Sequence, residues 1–138
     1  MPLVSASSDR DISNISIEIQ RSGLVPYEEA LANQRFVHSE VSQGIRPNTL
    51  ILLEHPSVYT AGKRTSEIEK PTDGTPVIDV DRGGKITWHG PGQLVGYPIV
   101  KLAKPTELVG FVREIEAGLI KVCSEFGITT QRVDGRSG

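Results

Sequence analysis

The sequence predicts a mixed α+β domain. Short β-type runs, either alternating or continuously apolar, recur between residues 14 and 100, while the stretches after Pro26 and after Thr106 place apolar residues at helical spacing. The length, 138 residues, suits one domain with a single core.

The elements follow in order. Residues 1–13 are rich in serine and aspartate and read as a disordered lead-in. Residues 14–20 alternate, with Ile15, Ile17 and Ile19 on one side, so a half-buried strand is expected. Pro26 opens a helix in which Tyr27, Ala30, Leu31, Gln34, Val37 and Val41 form one stripe, and Gly44 ends it. Residues 50–53 are continuously apolar, which predicts a strand buried on both faces. Residues 59–74 are polar and carry Gly and Pro, so they read mostly as loop. Short strands are expected at 77–80, 86–88 and 94–100, the last two around a Gly-Pro-Gly turn, with Pro98 arguing for a sheet edge. Thr106 is the expected N-cap of a second helix whose stripe is Leu108, Phe111, Val112, Ile115, Leu119, Val122 and Phe126, stopped by Gly127. A further strand is expected at 128–133, and residues 134–138 have loop composition.

Bulk properties exclude several classes. The formal net charge is -2, so there is no broad basic footprint for nucleic acid and no polybasic membrane tether. Neither a membrane span nor a signal peptide is recognisable. A single cysteine, Cys123, rules out a disulfide within the chain and a Cys-rich zinc pattern, and fits a reducing compartment. A cytoplasmic protein without cofactor or metal is expected. His38, His55 and His89 are too scattered to read as a zinc set.

One stretch stands apart. Residues 82–99, RGGKITWHGPGQLVGYPI, hold five glycines, two prolines, an arginine and a histidine. Glycine lets backbone approach a ligand closely, and consecutive N–H groups around Gly83, Gly84 and Gly90 can form a nest for an oxyanion. Arg82 supplies fixed charge and several donors, and His89 donates or accepts near neutral pH. A pair of tight turns between strands accounts for the same glycines without a ligand. Named nucleotide motifs fail. Asp79 stands where a P-loop needs its first glycine, and Ile86 follows Gly84-Lys85 where Ser or Thr is required. The dinucleotide fingerprint would need its third glycine at Val95. Gly135-Arg136-Ser137-Gly138 lacks the spacing of a nucleophile elbow.

The stretches ILLEHPSVYTAGKR (residues 51–64) and RGGKITWHGPGQLVGYPI resemble the lipoyl(octanoyl) transferase family, as does the helix beginning Tyr27-Glu28-Glu29-Ala30-Leu31. The resemblance runs from about residue 14 to residue 138, and the pattern RGG-x-x-T-x-HGPGQ is long and unusual in composition. It implies a domain like the catalytic domains of biotin and lipoate protein ligases, of which residues 14–138 would be the N-terminal portion. It implies transfer of octanoyl from acyl carrier protein, through a cysteine thioester, to a lysine of lipoyl domains. The acceptors implied are the lipoyl domains of 2-oxoacid dehydrogenases and the glycine cleavage H protein. It further implies that Arg82, Gly83, Gly84, Lys85, Ile86, Thr87, Trp88 and His89 line the acyl site, with Arg82 and His89 supplying its polarity.

The resemblance puts the nucleophilic cysteine and its lysine partner in segments that follow the one matching residues 134–138. No catalytic residue is therefore assigned here, and the 138-residue chain alone is expected to be inactive. Cys123 lies one helical turn after Leu119, beside Val122 and Phe126, and reads as a packed helix residue. Two other readings stay open: a shortened paralogue that binds acyl chains or carrier protein without turnover, and a fold-related lipoate or biotin ligase. His55 reads as a loop histidine satisfied locally or as a site residue, and Tyr97 as core. Tyr59 and Gly62 shape an acyl pocket or a turn. Asp79 and Asp81 read as solvated or in contact with Arg82, Lys85 as solvated or facing substrate, and Trp88 as packing opposite Thr87 and His89.

Overall fold

A computed structural model describes residues 16–136, so the expected lead-in at residues 1–13 lies outside the described residues, as do Asn14 and Ile15 of the first expected strand. The chain divides into two compact units, one up to Val100 and one from Lys101 onward.

The first unit holds β1 (Ile17–Leu24), α1 (Tyr27–Ser42), β2 (Asn48–Glu54), β3 (Val58–Ala61), β4 (Val77–Asp79), β5 (Ile86–His89) and β6 (Val95–Ile99). They form two three-stranded sheets, ordered β1-β2-β6 and β4-β3-β5. β1 and β2 are parallel, in register from Ile17↔Asn48, which requires a crossover, and α1 supplies it. The expected half-burial of β1 is not found at its isoleucines: Ile17 is 45% and Ile19 47% exposed, and Gln20 and Ser22 are its half-buried positions.

α1 begins after Pro26, carries Glu28 and Glu29 in its first turn where the helix dipole favours anions, and buries Ala30, Val37 and Val41. It ends as predicted at Gly44, whose φ of 74° is left-handed. Ile45 N donates to Glu40 O at 2.9 Å and Gly44 N to Val41 O at 3.1 Å, the paired bonds of a Schellman motif. The helix covers Ile51 and Leu53 of β2, with Val25, Val95, Tyr97 and Ile99 packed around this core. Each such Val, Ile or Leu side chain contributes about 1.5–3 kcal/mol when fully buried.

β2 departs from the expectation of burial on both faces. Thr49, Ile51 and Leu53 are buried, and the residues between them are half-buried. The alternation shows one face turned to α1. β6 runs antiparallel to β2, and Pro98 opposite Leu50 sits on an edge strand as its missing N–H requires.

The expected loop at 59–74 is corrected at its start. Val58-Tyr59-Thr60-Ala61 is the central strand of the second sheet, parallel to β4 and antiparallel to β5. Val, Tyr and Thr favour strands, but the four residues between Ser57 and Gly62 carry too short a pattern to read. Beyond it, a 3-10 turn at Glu67–Glu69 is closed by a capping box between Ser66 and Glu69.

The second unit is built on α2 (Leu108–Glu125). Thr106 is not its N-cap. It lies inside a 3-10 turn, Pro105–Glu107, and Glu107 takes the cap position without a side-chain capping bond. Gly127 stops α2 as predicted, with φ 75° and Ile128 N donating to Cys123 O at 3.0 Å. The strand expected at 128–133 does not form. That segment is tied to α2 instead: Arg132 donates from Nε to Glu116 at 2.9 Å and from a terminal nitrogen to Arg113 O at 2.7 Å.

Candidate functional site

Residues 82–85 form a tight loop before β5, laid against residues 62–64 after β3. Lys63 N donates to Arg82 O at 3.0 Å, Arg64 N to Gly84 O at 3.0 Å and Gly62 N to Lys85 O at 3.4 Å. The Arg82 guanidinium donates to the remaining carbonyl, Gly83 O, at 3.0 Å. All four loop carbonyls therefore have protein donors. The N–H groups of Gly83, Gly84 and Lys85 make no hydrogen bond among the described residues. Gly84 has φ 84°, a conformation glycine adopts without strain. A run of uncommitted amides on a braced loop can receive a carbonyl or carboxylate oxygen, or the oxyanion that develops on it.

Glycine at 62 makes this approach possible. A Cβ there would lie 2.5 Å from Gly84 O, 2.7 Å from an Arg82 terminal nitrogen and 2.9 Å from Gly83 O. Tyr59 and Gly62 thus belong to β3 and its exit, the strand and turn beneath the loop.

The guanidinium of Arg82 is directed into the protein. One terminal nitrogen donates to Gly83 O and, at 2.8 Å, to Lys85 O. The other donates to Thr60 O at 2.8 Å, Thr60 Oγ1 at 2.9 Å and Thr87 Oγ1 at 3.1 Å. Asp81 does not contact it but pairs with Lys63 at 2.8 Å. Lys85 is exposed, and its ammonium pairs with Glu69 at 2.5 Å. That bond, with the Ser66 amide, holds the Glu69 carboxyl down at about 2. The same carboxylate closes the capping box, so one residue links the 3-10 turn to the glycine loop.

After β5 the chain reverses at Gly90-Pro91-Gly92-Gln93. Gln93 N donates to Gly90 O at 3.1 Å, and Gly92 has φ 88°, the geometry of a type II turn with proline second and glycine third. Glu54, at the end of β2, accepts from Gly92 N at 2.8 Å and fixes the turn to the first sheet. The Trp88 ring lies over Gly90, where any Cβ would collide with it, and its Nε1 donates to Ser57 Oγ at 2.9 Å.

His89 and His55 meet where the two sheets adjoin. His89 Nδ1 donates to Gln93 Oε1 at 2.8 Å, which ties the ring to the turn. The His55 ring centroid lies 5.8 Å from that of His89 and 5.3 Å from that of Tyr27. His55 is fully buried. Its Nδ1 is 2.7 Å from Val25 O, and a carbonyl only accepts, so the proton sits on Nδ1. Nε2 then accepts from Tyr97 Oη at 2.8 Å. Burial, opposed in part by the Val25 bond and reinforced by His89, lowers the His55 pKa. Burial, helped by Tyr27, pushes the Tyr97 hydroxyl up to about 12, so it remains a donor across the working range.

The structure thus gathers residues 82–89 on one loop-and-strand unit. It adds Thr60, Glu69 and Glu54, to which the sequence reading gave no individual role, and Tyr27, read there only as part of the helix stripe. Glu54 and Thr60 fall within residues 51–64, the stretch that carries the resemblance, and that was the signal for them. Cys123 lies half-buried on α2, in the other unit. Among the described residues no three His, Cys, Asp or Glu side chains are grouped to hold a metal ion, and no helix is long and apolar enough to cross a membrane.

Proteins named Octanoyltransferase match the chain in Leifsonia xyli subsp. xyli (60% identical over 126 residues, 88% of this chain and 56% of the relative), in Acidothermus cellulolyticus (62% over 122 residues, 88% and 55%) and in Rhodococcus jostii (56% over 134 residues, 97% and 52%). The chain spans about half the length of the curated relatives it matches. The family model of the lipoyl protein ligase A/B catalytic domain covers residues 26–138, which takes in α1, both sheets but for β1, and the whole glycine loop. The chain belongs to the family of lipoyl protein ligase A/B catalytic domains.

Proposed function

We propose that the full-length protein is an octanoyltransferase of lipoate biosynthesis. It takes octanoyl from octanoyl-acyl carrier protein and passes it to a lysine of lipoyl domains, those of 2-oxoacid dehydrogenases and the glycine cleavage H protein, in the cytoplasm. The observation that carries the proposal is the 60% identity over 126 residues to a protein named Octanoyltransferase.

The loop geometry supports it. Residues 82–89 line the acyl site, and the amides of Gly83, Gly84 and Lys85 receive the thioester oxygen. A cysteine thiolate, supplied by sequence beyond Gly138 together with its lysine partner, attacks the thioester carbonyl. The oxygen gains negative charge, and donors already in place stabilise it. Collapse of the adduct expels the carrier thiolate. The acceptor amine then attacks the acyl-cysteine, loses a proton and releases the enzyme thiolate. His89, held by Gln93 at the end of β5, closes this side of the site.

The test is intact-mass analysis of a lipoyl domain after incubation with the full-length protein and octanoyl-acyl carrier protein, without ATP. Gain of one octanoyl group on the acceptor lysine is expected. No gain beside an active control enzyme would overturn the proposal. Gain only with free octanoate and ATP would indicate a ligase instead.

A further inference from the structure

We propose that Arg82 is a positioning residue that staples the glycine loop to the second sheet, rather than a cation that pairs with the ligand. The inference rests on the acyl-binding reading of the loop given above, but its physical basis is independent of it.

A cation that recognises a ligand keeps donors free for it. Arg82 instead directs both terminal nitrogens at five acceptors within the protein. Two are the loop carbonyls of Gly83 and Lys85, and two belong to Thr60, in the central strand β3. The fifth is the hydroxyl of Thr87, on β5. Thr60 is only 2% exposed, so this end of the fork is anchored in the interior. The guanidinium thereby bridges the loop, β3 and β5 at once. With the bonds from residues 62–64, it occupies every carbonyl from 82 to 85 and leaves the amides of 83–85 as the loop's donors.

The planar fork is essential to this arrangement. Lysine carries the same charge but only one nitrogen, which cannot reach acceptors on both sides of the loop together. A ligand-pairing role would tolerate lysine in part. A staple would not.

The experiment compares Arg82→Lys, Arg82→Met and Thr60→Val in the full-length protein. It reads single-turnover octanoyl loading from octanoyl-acyl carrier protein, and hydrogen exchange of the amides of Gly62, Lys63 and Arg64. Both Arg82 variants are expected to lose loading rate on the order of 100-fold, the loss typical of a reacting group displaced by about an ångström. The loss should fall mainly on the loading rate at saturating carrier protein, with the half-saturating concentration changed much less. Exchange at Gly62, Lys63 and Arg64 should quicken in both. Thr60→Val, which removes one acceptor and no charge, should lose loading in the same sense, and its effect should be less than multiplicative with Arg82→Met.

Loading by Arg82→Lys within threefold of the unmodified protein, with Arg82→Met inactive, would overturn the proposal, because charge alone would then suffice. Multiplicative losses for Thr60→Val and Arg82→Met would overturn it too. If the Arg82 variants do not fold, Thr60→Val decides alone: unchanged loading and exchange would overturn the staple. If the unmodified protein transfers no octanoyl, the functional reading falls. The exchange comparison still judges the staple, and unchanged exchange at residues 62–64 would refute it.

Discussion

Gly62→Ala is the sharpest test of how the loop is held. Gly62 has no left-handed φ, so alanine there meets no backbone strain, and its whole effect comes from packing. The new methyl would sit 2.5 Å from Gly84 O and 2.9 Å from Gly83 O, both main-chain atoms that cannot rotate away. Overpacking of this kind costs about 1–3 kcal/mol. Relief requires the 82–85 loop to lift, which weakens the three bonds from residues 62–64, each contributing about 0.5–1.5 kcal/mol. A total loss of about 1.5–6 kcal/mol follows if one or two of them break. Gly74→Ala is the matched control. Its φ of 84° strains alanine, but nothing lies within 4 Å, so a loss of about 1–2 kcal/mol is expected. Urea unfolding of the full-length protein and both variants supplies the numbers. If Gly62→Ala costs no more than Gly74→Ala, the loop is not seated on Gly62 as described and the account of its geometry fails.

Three other outcomes follow from the buried and charged groups. Tyr97→Phe removes the only donor to His55 Nε2 among the described residues and leaves a buried acceptor unpaired, so a loss of about 1–3 kcal/mol is expected in the same urea assay. His55 has a folded pKa below 6.5, so the unfolded chain takes up the proton first as pH falls. Stability is then fully present above pH 6.5 and declines below it, and a His55→Gln protein should lack this limb of the urea-midpoint profile. Glu69 has its pKa lowered from 4.5 to about 2, so its contribution is present above pH 4.5 and lost as pH falls toward 2, and Lys85→Met should flatten that lower limb.

Much of the framework was legible because local chemistry and tertiary structure agree. Pro26 and Gly44 bound α1 where sequence signals put them, and Ala30, Val37 and Val41 of the predicted stripe are buried. Gly127 ends α2, and the Gly-Pro-Gly turn forms. The errors arise where neighbours decide. β3 is four residues long, and only its pairing with β4 and β5 makes it a strand. Residues 128–133 have strand composition but pair with no strand among the described residues, so no ladder forms. Thr106 has a capping side chain, yet the 3-10 turn moves the helix start past it. At the candidate site, the composition of residues 82–89 sets them apart as an unusual glycine-rich loop and strand. Nothing in it tells that Arg82 faces Thr60, a residue 22 positions earlier.

That commitment of Arg82 bears on the kind of head group the loop suits. In the stretch 82–89 the two permanent cations are Arg82 and Lys85. One is bonded to five internal acceptors, and the other to Glu69. A surface pair such as Lys85–Glu69 contributes only about 0–1 kcal/mol and yields readily, so the guanidinium decides the matter. A site for a triphosphate or a free carboxylate gains most from an uncommitted arginine that can close a bidentate contact. A thioester carbonyl is neutral until attacked, and aligned amides suit it better: they bind the ground state weakly and the oxyanion strongly. Differential binding of that kind accelerates acyl transfer, whereas a fixed charge on a neutral ground state adds desolvation cost without comparable gain. The internal anchoring of Arg82 is therefore consistent with the proposed acyl transfer from a thioester, and the ATP-free assay described above is what distinguishes it from activation of a free acid.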